Sequence, residues 1–412
     1  MTVVRRWVLT TAWRLGAFLV QTRWIVLSVV LAAAGVIGLY RATPAWLNWS
    51  LALVSLVLLV LEVRAHAARL ASVQFVDRVD DFQDVAASLR GSDRFRVVDT
   101  GAGHVVLDSV AAAAIARGTV VARLSPTGYV LPRELRGYGA AFCRRRVSRG
   151  ATYNGHLLGL GTDVGTGPTL PTTTWNLVPA RYWDHLGSDI FATKDVLVSG
   201  RLESGFGRSL FVDRRGRLRD HGESWLLNAI GTSVLALTTD GRLVVVSQSA
   251  HNESSGGLLA PSGSGSLEPA DAGAAGASDL ATIAAHGALR ELEEETGLRR
   301  DDVVDWRHLG YGRWLEKAGK PELFTVAALR VDSHELHRRR IPSADRPYTL
   351  GAEAVRLRAR DEWDADPRST VDPAVRHRLS APLVAGLSLL VTAAGDAANP
   401  AHRLVVGRLP VA

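Results

Sequence analysis

The chain has 412 residues, enough for two or three domains with proper cores. Charged residues at 22% and hydrophobic residues at 47% exclude a mainly disordered chain. The net charge is +7, but +6 of it falls in residues 1–70, which hold seven arginines and one acid, Glu62. The body is therefore close to neutral, and no nucleic-acid surface is expected. A single cysteine, Cys143, rules out an internal disulfide and fits a reducing compartment.

Two apolar runs open the chain, Trp24–Tyr40 without a charge and Ala45–Val63 with Glu62 at its end. Extended into Phe18–Val20, the first reaches the roughly 20 residues that cross a bilayer core. Aromatic residues lie at the run ends, and only four residues separate the runs. This pattern predicts an N-terminal two-helix transmembrane hairpin with spans at about 20–40 and 45–63 and the lipid bilayer as partner. Arginines before the first run and after the second place both flanks, and hence both termini, in the cytoplasm.

Residues 71–224 read as a soluble α+β region without a repeat. Val73–Arg90 suggests a helix, or a short strand and then a helix, and Phe95–Val98, Val105–Leu107 and Thr119–Leu124 are β-like. The clusters Arg144–Arg146 and Arg338–Arg340 read as solvated faces, and His156 and His185 as structural histidines. From Trp225 the pattern is sharper. Ile230–Leu237 and Leu243–Gln248 flank Asp240–Gly241, a strong hairpin signal. A Gly/Ser/Ala-rich stretch, Ser254–Ser278, precedes helical spacing over Leu280–Glu295, which Gly297 ends. Strand-like Trp306–Tyr311 and Leu323–Val331 and a helix around Ala381–Thr392 complete an α/β or α+β sandwich.

The chemistry concentrates in Arg290-Glu291-Leu292-Glu293-Glu294-Glu295-Thr296-Gly297-Leu298. On a helix Glu291, Glu294 and Glu295 stand at i, i+3 and i+4 and share one face. Crowded carboxylates repel, and a divalent cation neutralises them; an oxygen-only donor set favours Mg²⁺ or Mn²⁺. Arg290 is an i, i+4 neighbour of Glu294 and can hold a carboxylate, while Leu292 turns to the buried side.

This segment resembles the second half of the Nudix box, R-E-U-x-E-E-x-G-U with U apolar, matching all its fixed letters and both apolar positions. The resemblance covers roughly Trp225–Gly395, within a C-terminal region at 225–400, and implies an α/β/α sandwich there. The first half of the box diverges. Rigid counting back from Arg290 places Thr282 at the box Glu and Gly276 at the box Gly. A second alignment, over Pro261–Asp271, gives Gly265 the box Gly and Asp271 the box Glu, at the cost of eleven extra residues, Ala272–Thr282.

The resemblance implies a hydrolase of nucleoside diphosphate derivatives in which Glu291, Glu294 and Glu295 bind metal and Arg290 orients them. Gly263 and Gly265 would admit the backbone to the site, and Tyr311 or Trp314 would stack a base, with Arg313 on a phosphate; structural aromatics are the other reading of Tyr311 and Trp314. Its alternative is a non-catalytic sensor of a nucleotide-type ligand, to which the divergent first half points. A membrane scaffold is the third reading.

Overall fold

The computed structural model describes residues 73–409 except 79–81, 134, 150–153, 204–205, 250–255, 276–278 and 343–348, together with single helical positions between 53 and 64. Residues 73–224 form eight strands: β1 (Val73–Asp77), β2 (Phe95–Asp99), β3 (His104–Asp108), β4 (Val121–Leu124), β5 (His156–Leu160), β6 (Thr174–Arg181), β7 (Lys194–Val198) and β8 (Arg201–Glu203). Their main helices are α1 (Gln83–Leu89), α2 (Ser109–Ala116) and α3 (Tyr138–Arg149). Later residues add β9 (Gly231–Leu237), β10 (Arg242–Gln248), β11 (Leu259–Ala260), β12 (Gly263–Ser266), β13 (Val303–Trp314), β14 (Lys320–Leu329) and β15 (Thr349–Arg356). With them come α4 (Pro269–Ala275), α5 (Leu280–Thr296), α6 (Ala381–Gly395) and α7 (His402–Val406).

A nine-stranded mixed sheet organises the protein, in the order β11-β10-β9-β14-β13-β3-β2, with β12 added on β9 and β15 on β10. The β9–β14 pair is parallel and the other pairs are antiparallel. Two of the strands, β2 and β3, come from residues 95–108 and join through β13. Small three-stranded sheets, β1-β7-β8 and β4-β6-β5, flank it.

Period-two alternation along β9 builds the layers. Val234 and Ala236 face α5 through Ala288, Leu289 and Leu292. Leu235 and Leu237 face the apolar helix α6, which packs Leu383, Leu387 and Leu390 into the opposite core. Both helices cover the sheet, one on each face, so the strands between them are buried on both sides.

The Asp240–Gly241 turn forms, with Gly241 at φ 73° and Thr238 N–H donating to the Arg242 carbonyl at 2.9 Å. Beyond Leu243↔Leu237, however, β9 and β10 part. The glycine-rich strand β12 pairs with the freed half of β9, from Gly263↔Val234 to Ser266↔Gly231. Sequence reading treats that stretch as a loop; pairing with β9 makes it a strand.

The expected transmembrane hairpin is not upheld. Among the described residues no helix is long and apolar enough to cross a membrane. The first expected span lies outside the described residues, and of the second only scattered helical positions are described. The architecture is an α/β one with mixed sheets. Placement of both termini in the cytoplasm, which rested on the hairpin, loses its basis with it.

Candidate functional site

Helix α5 carries the site. Asp279 caps its start, accepting from the N–H groups of Ala281 and Thr282 at 3.3 and 3.0 Å. Gly297, at φ 71°, ends it in the left-handed conformation that costs glycine least. Leu292 is buried against the sheet, which turns the glutamate-bearing face toward β12 and α4.

Arg290 is the hub of that face. Its Nε and Nη2 donate to the two carboxylate oxygens of Asp271, at 3.0 and 3.1 Å. Nη1 donates to Glu291 at 2.9 Å and to Glu294 at 3.2 Å, and Nη2 also reaches the Ser266 carbonyl at 2.9 Å. One guanidinium thus holds three acids, a planar fork suited to bidentate pairing. Burial works against the Arg290 charge, but Glu291, Asp271 and Glu268 more than offset it and hold the guanidinium protonated.

Asp271 is itself buried, and it accepts from the Glu268 N–H at 2.8 Å. The fold thus brings Asp271, nineteen positions earlier in the chain, against Arg290. Thr282, the rigid-count candidate, instead joins the helix cap through Asp279, with its hydroxyl donating at 2.6 Å. Gly276 lies outside the described residues. Of the eleven extra residues, Ala272–Ala275 continue α4 and Leu280–Thr282 open α5.

The glycines are required by contact. A Cβ on Gly263 would overlap the backbone of Glu291 and Leu292, and one on Gly265 would overlap the Glu291 carboxylate. Strand β12 can lie on α5 only because these positions lack side chains.

Burial drives the Glu291 carboxyl up to about 7; Arg290 opposes the rise, and Glu294 and Glu268 add to it. Glu268 is raised as well, first by burial, against Arg290 and with Asp271. Glu295 is buried and engaged differently. It accepts from the Ser264 N–H at 2.8 Å and from Gln248 Nε2 at 3.3 Å. Sequence reading missed Gln248, which belongs to no periodic pattern that marks it and reaches the site only through the end of β10.

As a donor set these carboxylates suit a hard cation, with oxygen atoms only and excess negative charge. A cation would also favour the charged form of Glu291 against the burial, and the neighbouring Glu294 and Glu268, that raise it. Among the described residues, though, no group of three or more His, Cys, Asp or Glu side chains is arranged to hold a metal ion as it stands. Arg290 already sits where Glu291 and Glu294 converge, and Glu295 is turned to Ser264 and Gln248.

Tyr311 and Arg313 are corrected. Tyr311 is 1% exposed, and its ring packs edge-on to Trp175 at 5.4 Å, inside the core shared by α2 and α5. A buried ring presents no face on which a base could stack. Arg313 is buried too, donating to the carbonyls of Gly319 and Arg219 at 3.2 and 3.0 Å. Trp314 lies in the core under α6, with Lys317 over its ring at 5.6 Å. The cause is β13, whose C-terminal half is sandwiched between β14 and β3 and buried at every position from His308 to Trp314.

No protein-family model matches the chain, and no curated protein matches it. Twelve chains of solved structures match. The crystal structure of DR0079 from Deinococcus radiodurans is 18% identical and covers 43% of this chain and 81% of its own, with a TM-score of 0.22. At that TM-score the likeness carries no inference about this chain.

Proposed function

We propose that the chain is a divalent-cation-dependent hydrolase of nucleoside diphosphate derivatives, of the Nudix type. The observation that carries this reading is the Arg290 hub. The R-E-L-E-E-E-T-G-L segment folds as a Gly-capped helix, its arginine held by Asp271 of the glycine-rich segment and bound in turn to Glu291 and Glu294. Glu291, Glu294 and Glu295 would hold Mg²⁺ or Mn²⁺. When bound, such an ion supplies charge neutralisation for the diphosphate and a lowered pKa for the attacking water.

The chain's own residues have distinct tasks. Arg290 positions Glu291 and Glu294 and screens their repulsion. Asp271 fixes the plane of the guanidinium. Glu291, with its carboxyl near 7, holds a proton at slightly acidic pH and releases it above neutrality. Gly263 and Gly265 bring the backbone of β12 against the carboxylates.

A second reading, a sensor that binds a nucleotide without turning it over, is favoured by the engagement of Glu295 with Ser264 and Gln248. The full chain with Mg²⁺ and a panel of nucleoside diphosphate derivatives tests both. Phosphate-releasing turnover that Glu294→Gln abolishes supports the hydrolase. Tight binding without turnover supports the sensor.

A further inference from the structure

A groove of about 610 Å³ opens at the C-terminal end of α5, between that end and β15. Two arginines and a histidine line it, Arg339, Arg340 and His337, and among the described residues no lining residue is acidic. The charged side chains that line it among the described residues are therefore basic. The helix end would by itself favour cations, because its last carbonyls carry partial negative charge. Arg340 opposes that sign, while the charge of Arg339 is shared with Asp302.

The groove is built from fixed parts. Arg339 is held by Asp302 at 2.9 Å. Asp302 is anchored in turn by the Arg299 N–H at 2.8 Å. The Arg340 carbonyl packs so closely on Gly297 that a Cβ there would overlap it, which fixes the Arg340 backbone at the helix end. Its side chain makes no ion pair among the described residues and lines the groove.

The groove also adjoins the carboxylate site. Thr296, on its wall, follows Glu295 directly. Thr349, on the facing wall, pairs in register with Gln248, the residue that donates to Glu295. From Glu291 to Thr296 is five residues, about 7.5 Å along a helix axis. That is the reach of a short phosphate chain or of a phosphorylated sugar.

We infer that this groove takes a further phosphate of the substrate, so that the preferred substrate is a nucleoside diphosphate derivative carrying at least one phosphate beyond the diphosphate that is cleaved. The inference rests on the hydrolase reading for the word substrate, but its recognition chemistry stands separately. A guanidinium without a carboxylate partner among the described residues, beside a second one held in place, is a phosphate-binding arrangement by charge and by fork geometry.

The test uses the full chain in EDTA, titrated calorimetrically with inorganic tripolyphosphate, pyrophosphate and orthophosphate. Tripolyphosphate is expected to bind tightest. Arg340→Glu should weaken it by roughly tenfold or more, while Arg340→Lys should retain most of the affinity. No binding to the wild-type chain overturns the inference, as does equal affinity in a folded Arg340→Glu variant. Orthophosphate binding as tightly, with the same dependence on Arg340, would make this a site for free phosphate and overturn it too. Arg340-dependent binding without any Mg²⁺-dependent turnover would sink the hydrolase reading and keep the anion site. Turnover with a KM indifferent to Arg340→Glu would do the reverse.

Discussion

Arg290 donates two hydrogen bonds to Asp271 across nineteen positions of sequence, at 3.0 and 3.1 Å, and so joins the segment after β12 to the glutamate helix. Asp271 is almost fully buried, and removing it strands a guanidinium among carboxylates that it no longer aligns. Asp271→Ala should cost about 2–3 kcal/mol in urea unfolding. It should also lower turnover. An unchanged midpoint would show that the pair contributes nothing to the fold.

The two glycines of β12 should respond differently to alanine. At Gly263 the obstacle is α5 backbone, which cannot step aside, so Gly263→Ala should destabilise by about 1–3 kcal/mol. At Gly265 the obstacle is the far end of the Glu291 side chain. Gly265→Ala should therefore spare most of the stability and instead displace Glu291, seen as a loss of turnover. Equal melting losses in both variants would contradict this division.

Glu291 makes stability depend on pH with a definite sign. Its carboxyl rises from 4.5 to about 7 on folding, so between these values the folded chain holds a proton that the unfolded chain releases. Stability is then lost as pH rises through this window, by up to about 3 kcal/mol, and the loss is complete above pH 7. Glu291→Gln should flatten the profile and be the more stable protein at pH 8. Parallel melting curves for the two proteins from pH 5 to 8 would refute the assignment.

A cation at the carboxylates must displace that proton. Adding Mg²⁺ should raise the melting temperature at pH 8, release protons in unbuffered solution near pH 6.5, and bind more weakly as pH falls below about 7. Glu294→Gln should abolish the thermal shift. An Mg²⁺ effect that survives in Glu294→Gln would place the ion elsewhere.

Tyr311 offers the negative control. Its hydroxyl is buried and has no hydrogen-bond partner among the described residues, so Tyr311→Phe should change stability by less than about 1 kcal/mol and leave KM unaltered. A rise in KM for nucleotide-type substrates would return Tyr311 to the site.

Local signals in the chain carried a good part of the structure. The Asp240–Gly241 turn, the helix ended by Gly297 and the shared face of Glu291 and Glu294 all depend on residues within a few positions of one another, where spacing and backbone preference suffice. Asp271 was singled out only by comparison of Pro261–Asp271 with the box pattern; its pairing with Arg290 spans nineteen positions and is set by the fold. What failed was longer in range or differently solvated. Apolar length alone suggested a membrane hairpin, whereas no described helix has the length and apolarity to span one. Tyr311 and Arg313 looked like ligand contacts because a strand's residue types do not reveal what covers it; β3, two hundred residues upstream, pairs over Gly312–Trp314.

By itself, then, the sequence determined the helix of glutamates and the residues able to crowd charge on one face of it, because both follow from 3.6-residue periodicity. Only the tertiary structure decided how that charge is shared: Arg290 between Asp271, Glu291 and Glu294, and Glu295 turned to Ser264 and Gln248. It also set the arginine groove beside the helix end. These depend on which half of β9 is left open for β12 and on what α5 is packed against. Such choices are made by burial and strand pairing across the whole chain, and no local pattern encodes them.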